Sequence, residues 1–121
     1  MSGRMSKELN PAVAEVFSAL GDETRLSVLA RLGAGARSAT ALSSGARVTR
    51  QAIVKHLQVL ENAGLITHRK RGREVLYALE ARRLDEARAF LEMMSARWDR
   101  AISRLLEMVE EEPGAKKRER P

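Results

Sequence analysis

Arg50, Gln51, Lys55 and Gln58 fall close together on a stretch where Ile53, Leu57 and Leu60 recur at i, i+4 and i+7. On a helix that spacing sends the apolar set to one side and the polar set to the other. Glutamine offers a donor and an acceptor in one plane, and arginine a planar fork of donors. Such groups suit hydrogen bonding to a base edge or a phosphate. Bond-making chemistry has no comparable signal, because no nucleophile, base and orienting group converge in the chain. There is no cysteine, and the histidines are two, His56 and His68. Thiolate chemistry is therefore excluded, and a first-row metal finds too few ligands. The expectation is a protein that is not an enzyme, with no metal site and no cofactor. The competing reading of the stretch is an ordinary amphipathic helix with a solvated polar face.

The charge distribution favours a polyanionic partner. The chain has 121 residues and a formal net charge of +6. Between Arg47 and Arg73 stand seven cations (Arg47, Arg50, Lys55, Arg69, Lys70, Arg71, Arg73) against one acid, Glu61. Seven minus one is +6, so the remainder sums to zero. A field concentrated in one stretch suits nucleic acid or an anionic membrane surface; clustered cations that merely aid solubility are the alternative. No apolar run approaches the roughly 20 residues that span a bilayer, so no membrane partner is expected. The first residues lack the apolar core of a secretory signal, and a cytoplasmic location is the expectation. The length fits one domain with a modest core. Aromatic residues make up 3% of the chain, so that core must be aliphatic.

The elements that position the polar stretch can be read in order. Residues 1–9 carry no periodicity and are expected to be flexible. Asn10-Pro11 reads as an N-cap and first helical position, followed by Val13, Val16, Phe17 and Leu20 on one face. Asp22 caps a second helix from Glu23 to about Leu32, with Leu26, Leu29 and Leu32 expected inward and acids suiting the helix dipole. Gly33-Ala34-Gly35 breaks the chain. Ser38 begins a short third helix through about Ser44, anchored by Leu42. Gly45 to Val48 turns into the central helix, capped by Thr49 and stopped at Gly64. Short helix, glycine-bearing turn and amphipathic helix make a helix-turn-helix.

After Gly64 the period changes. Leu65–Lys70 and Glu74–Leu79 read as two strands, with Arg71-Gly72-Arg73 the turn between them. A basic hairpin there is a wing, able to reach a phosphate or the minor groove. From about Arg82 to Glu111 apolar residues recur by sevens: Leu84, Leu91, Trp98 and Leu105, then Ala87, Met94, Ala101 and Met108. Phe90, Ile102, Leu106 and Val109 widen the stripe. A helix this apolar is costly to leave wet. The expected cover is the same helix of a second copy, giving a two-fold homodimer to which Val13 and Phe17 also contribute, together with intramolecular cover by the first helix. Residues 10–111 thus form the domain, and 112–121 a charged tail expected to be disordered.

With the order assembled, the sequence resembles the ArsR-type winged helix-turn-helix repressors of bacteria. Three pieces carry the likeness: Ala19 to Leu26 (Ala-Leu-Gly-Asp-Glu-Thr-Arg-Leu) with Leu29, Thr49 to Ile66, and Arg71 to Tyr77. The resemblance covers roughly residues 10–80, and the second piece is the most specific. It implies a mainly α winged helix-turn-helix fold, five helices with a β-hairpin before the last, and a long C-terminal dimerisation helix. It also implies a homodimer that binds double-stranded DNA at a pseudo-palindromic operator and blocks transcription.

The chain departs from the metal-sensing members. Their Cys-x-Cys site on the short helix before the turn is replaced by Ser38 to Ser44, with no soft ligand, and their last-helix site needs histidines absent after His68. A metal-independent branch is the reading. Gln51 is the candidate for adenine and Arg50 for guanine, though either could instead contact phosphate. Val54 stands where the family often has serine and could meet a thymine methyl or be buried. Lys55 is expected on phosphate. His56, matching the family's histidine, is expected to buttress more than to read. Ser38 and Thr49 sit at helix starts, where phosphates dock, though capping is their surer role. Arg71 and Arg73 are expected to grip the backbone beyond the recognition helix, with Arg69 also counted among the DNA-binding residues; a loose solvated hairpin is the alternative. Trp98 and Met94 lie at the heart of the seam, where core packing is the expected role and a small apolar effector lodged there is the alternative. A winged-helix protein-interaction module and a small-molecule-gated switch are the competing functions.

Overall fold

The computed structural model describes residues 10–111, so the expectations for 1–9 and 112–121 lie outside the described residues. The elements are α1 (Pro11–Ala19), α2 (Glu23–Leu32), β1 (Arg37–Ser38), α3 (Ala39–Ser43), α4 (Arg50–Asn62), β2 (Ile66–Arg71), β3 (Glu74–Leu79) and α5 (Ala81–Glu111).

The helix starts are set by side chains that accept from otherwise unpaired backbone N–H groups. Asn10 accepts from Ala12, Asp22 from Arg25, Ser38 from Ala41 and Thr49 from Ala52. At the end of α4, the Gly64 N–H donates to the Glu61 carbonyl at 2.9 Å and the Leu65 N–H to the Leu60 carbonyl at 3.0 Å. That pair of bonds is a Schellman ending, and it requires the positive φ of +79° that Gly64 adopts. A β-carbon at Gly64 would stand 2.8 Å from Arg83 Cγ, so both backbone and space call for glycine.

The chain divides into two compact units, the first running to Arg88 and the second starting at Ala89. The first unit is built around α4. Ile53, Leu57 and Leu60 are fully buried there with Val16 of α1, Leu42 of α3, Leu65 and Ile66. Leu26 departs from expectation, being 50% exposed, while Val28 is buried instead. Val28, Leu29 and Leu32 define the inward stripe of α2, and Leu26 lies off that stripe at 100° per residue.

The sheet has three strands where two were expected. The short β1 pairs antiparallel with β3, Arg37 opposite Tyr77 and Ser38 opposite Leu76, giving the order β1-β3-β2. In the hairpin Arg71 is opposite Glu74, so the loop is Gly72-Arg73, one residue shorter than expected. Gly72 has φ +65°, as the first position of a type II′ turn demands.

The heptad residues divide along α5. Ala87 is buried and Leu84 packs half-buried against the core of the first unit. Beyond Ala89 the same pattern is open: Leu91, Trp98, Ile102, Leu105 and Met108 are all more than half exposed, and Met94 and Ala101 are half-buried. Val13 is likewise buried within the chain, and Phe17 packs half-buried against the core. Of the residues expected at a dimer seam, Val13 and Ala87 are thus buried within their own chain, and Phe17 and Leu84 are half-buried there. A side chain its own chain already covers has little surface to give.

Candidate nucleic-acid interface

The polar face of α4 is set by what the opposite face buries. Because Ile53, Leu57 and Leu60 are locked in the core, Arg50, Gln51, Lys55 and Gln58 are turned to solvent. Thr49 fixes where the helix begins, its hydroxyl accepting from the Ala52 N–H at 3.0 Å. Val54 is half-buried and packs against the core, though it also lines the open concavity along this face.

The short helix α3 is clamped from α2. The Arg31 guanidinium donates to the carbonyl of Leu42 at 2.7 Å, near the end of this five-residue helix, and to that of Ala41 at 3.1 Å, which also accepts from the Ser44 N–H. From this fixed helix Thr40 reaches α4, where Arg50 Nε donates to Thr40 Oγ1 at 3.1 Å. Both residues line a groove of about 370 Å³ between α3, α4 and the hairpin, together with Ser38, Val54, Arg73 and Glu74.

The structure therefore brings Ser38, Arg50, Val54 and Arg73 to one groove. Thr49, Gln51 and Lys55 continue along the adjoining face of α4. Arg71 is exposed beside the wing loop. Arg69, two positions back on β2, lines a separate hollow with Ala36 and Leu76.

His56 does not join that set. It is half-buried, with Nδ1 3.3 Å from the Arg25 guanidinium and 3.8 Å from the Asp22 carboxylate. Arg25 Nε donates in turn to the Ala19 carbonyl at 2.6 Å, tying the end of α1, the start of α2 and the middle of α4 together. Of its two expected roles, this geometry supports buttressing, because a ring held between these groups is turned toward α2. The Asp22 carboxyl is held below the usual carboxylate range, chiefly by the Arg25 backbone N–H. A smaller desolvation effect opposes this, and the charges of His56 and Arg25 add to it.

A second strap joins α4 to the wing. His68 Nδ1 lies 2.6 Å from Glu61 Oε2, and the ring sits 5.7 Å from that of Tyr77, its cross-strand partner. Among the described residues no group of three or more His, Cys, Asp and Glu side chains could hold a metal ion. No described helix is long and apolar enough to cross a membrane.

Sequence reasoning missed Thr40. Its type suits a helix's first turn, and nothing in the local pattern relates position 40 to position 50; only the turn between α3 and α4 brings them together.

Residues 10–69 match a family model described as a helix-turn-helix domain. Over 96 residues the chain is 30% identical to the HTH-type transcriptional regulator Rv2034 of Mycobacterium tuberculosis, covering 79% of this chain and 87% of that protein. An ArsR-like transcriptional regulator from Rhodococcus sp. RHA1 superposes with a TM-score of 0.72 at 38% identity, over 84% of this chain and 96% of that one. The homodimeric winged helix-turn-helix domain of Mb0332 from Mycobacterium bovis superposes with a TM-score of 0.61 at 28% identity, over 80% and 87%. The chain spans about half the length (54%) of the SmtB repressors of Mycobacterium tuberculosis that it also matches. Fold, motif and relatives agree: the chain belongs to the ArsR-type family of winged helix-turn-helix transcriptional regulators.

Proposed function

We propose that the protein is a homodimeric repressor that binds a pseudo-palindromic operator in double-stranded DNA through α4 and the wing. One observation carries this reading: a helix buried along one side turns Arg50, Gln51 and Lys55 to solvent, beside a hairpin tipped by Arg71 and Arg73. An α-helix fits the B-DNA major groove, and a glutamine amide there can pair with the N6 and N7 edge of adenine. Lys55, Arg71 and Arg73 are assigned to phosphates, which fix register without reading sequence. The dimer is supported by the open apolar row of Leu91, Trp98, Ile102, Leu105 and Met108 and by the homodimeric Mycobacterium bovis domain. Two copies would set their α4 helices in successive major grooves, about 34 Å apart. A cytoplasmic location follows from this reading.

Selection of bound fragments from random duplex DNA, followed by footprinting, tests the proposal. The expected result is an enriched inverted repeat with two protected half-sites one helical turn apart. Enrichment of a single unrepeated half-site, or of nothing, would contradict it.

A further inference from the structure

Arg50 is not a loose surface arginine. Its Nε is engaged by Thr40 Oγ1 at 3.1 Å, and Thr40 stands on a helix that Arg31 clamps from α2. Its terminal nitrogens are not used in that bond, and Arg50 lines the same groove that Arg73 lines from the wing. Two arginines from separate elements thus share one concavity with the hydroxyl-bearing Ser38 and Thr40, and the acid among its lining is Glu74. A guanidinium fork is suited to a phosphate oxygen pair. A groove at the edge of the recognition face, walled by the wing, lies where a DNA strand would leave that face.

From this we infer that the groove between α3, α4 and the wing seats one backbone phosphate of duplex DNA, held by Arg50 and Arg73, and that Thr40 is the positioning residue that aims Arg50 into it. The inference rests on the DNA-binding reading and deepens it. It assigns Arg50 to phosphate rather than guanine, and it gives Thr40 a role through Arg50 alone. Removing the Thr40 hydroxyl leaves the charge in place but returns rotamer freedom to a long side chain, so binding must order it anew.

Affinity measured against salt concentration tests this, using the full chain and two duplexes, one of mixed sequence and one selected by the protein. Arg50→Ala should weaken both duplexes alike and reduce the slope of log K against log salt by less than about 0.9, the value for one phosphate, because Arg73 stays on that phosphate; Arg50→Ala/Arg73→Ala should lose the full amount. Thr40→Val should weaken both by about three- to tenfold, the cost of ordering one rotamer-rich side chain. Thr40→Ser should bind as the parent does. The double variant Thr40→Val/Arg50→Ala should match Arg50→Ala alone, which a merely structural effect of position 40 would not produce. Unchanged thermal unfolding of Thr40→Val confirms that the fold is intact. If Thr40→Val binds like the parent, or its effect adds to that of Arg50→Ala, the positioning role is overturned. If Arg50→Ala weakens the selected duplex and leaves the mixed one unchanged, the phosphate seat is overturned in favour of base reading. Failure of the parent protein to bind either duplex would instead overturn the DNA-binding reading on which both stand.

Discussion

An amide at position 51 and guanidinium groups at 71 and 73 are given different work, and substitution separates them. Gln51→Ala should flatten the preference between adenine and other bases at one operator position, by about 1–3 kcal/mol in a competition assay. It should leave the salt slope as it was. Arg73→Ala should weaken all sequences together and lower the slope by less than about one, since Arg50 shares its phosphate. An Arg73 variant that altered base preference, or a Gln51 variant that did not, would reverse these assignments. Asp22 carries a pH dependence of known sign. Its folded-state pKa lies below the ordinary value of 3.8, so its contribution to stability is present above that value. It is lost as pH falls through the folded-state pKa. The thermal midpoint of the parent should therefore drop more steeply on acidification below about pH 4 than that of Asp22→Asn, which keeps a capping oxygen and cannot titrate. Parallel curves would show that Asp22 is not the titrating cap. The polar face of α4 and its cap were legible in the sequence, because both follow from local spacing. The Thr40–Arg50 bond and the Arg25–His56 contact were not, since each joins residues that only the folded chain brings close.

Among the elements, α4 holds the first unit together and α5 leaves it. Leu57 is fully buried at the centre of the core, and Leu57→Ala should cost about 2–5 kcal/mol in chemical denaturation. Gly64→Ala adds a β-carbon at a positive φ and against Arg83. It should destabilise by more than about 1 kcal/mol, with Arg83→Ala recovering part of the loss by removing the clash but not the backbone strain. Full recovery would mean that the contact, not the conformation, set the cost. Helix starts and stops were readable because capping chemistry is local. The strand β1 was not, because two residues are too few to show a period and its pairing partner lies in the wing. Leu26 misled for a related reason: its type argued for burial, whereas its angular position places it beside the stripe that the core covers. Along α5 the seven-residue pattern continues unbroken through Ala87 and Leu91, yet the first is buried in the chain and the second is open. Periodicity identifies an apolar stripe, and only the fold divides it between the chain's own core and an exposed row.

On the scale of the whole molecule, the proposed function uses both the cations of residues 47–73 and the open apolar row of α5. One α4 helix reads too few base pairs to choose a site, and a two-fold pair doubles the contacts and fixes their spacing. Trp98 and Leu105 are about 60% exposed in the isolated chain. Trp98→Glu/Leu105→Glu should therefore yield a folded single chain by sedimentation, with far weaker binding to an inverted repeat. A variant that still paired would place the interface elsewhere. The most direct measurement is the stoichiometry of the saturated complex, by native mass spectrometry or sedimentation velocity, on the duplex the protein itself selects. Two chains per inverted repeat, arriving as a preformed pair, is the predicted result; one chain per duplex at saturation would contradict it.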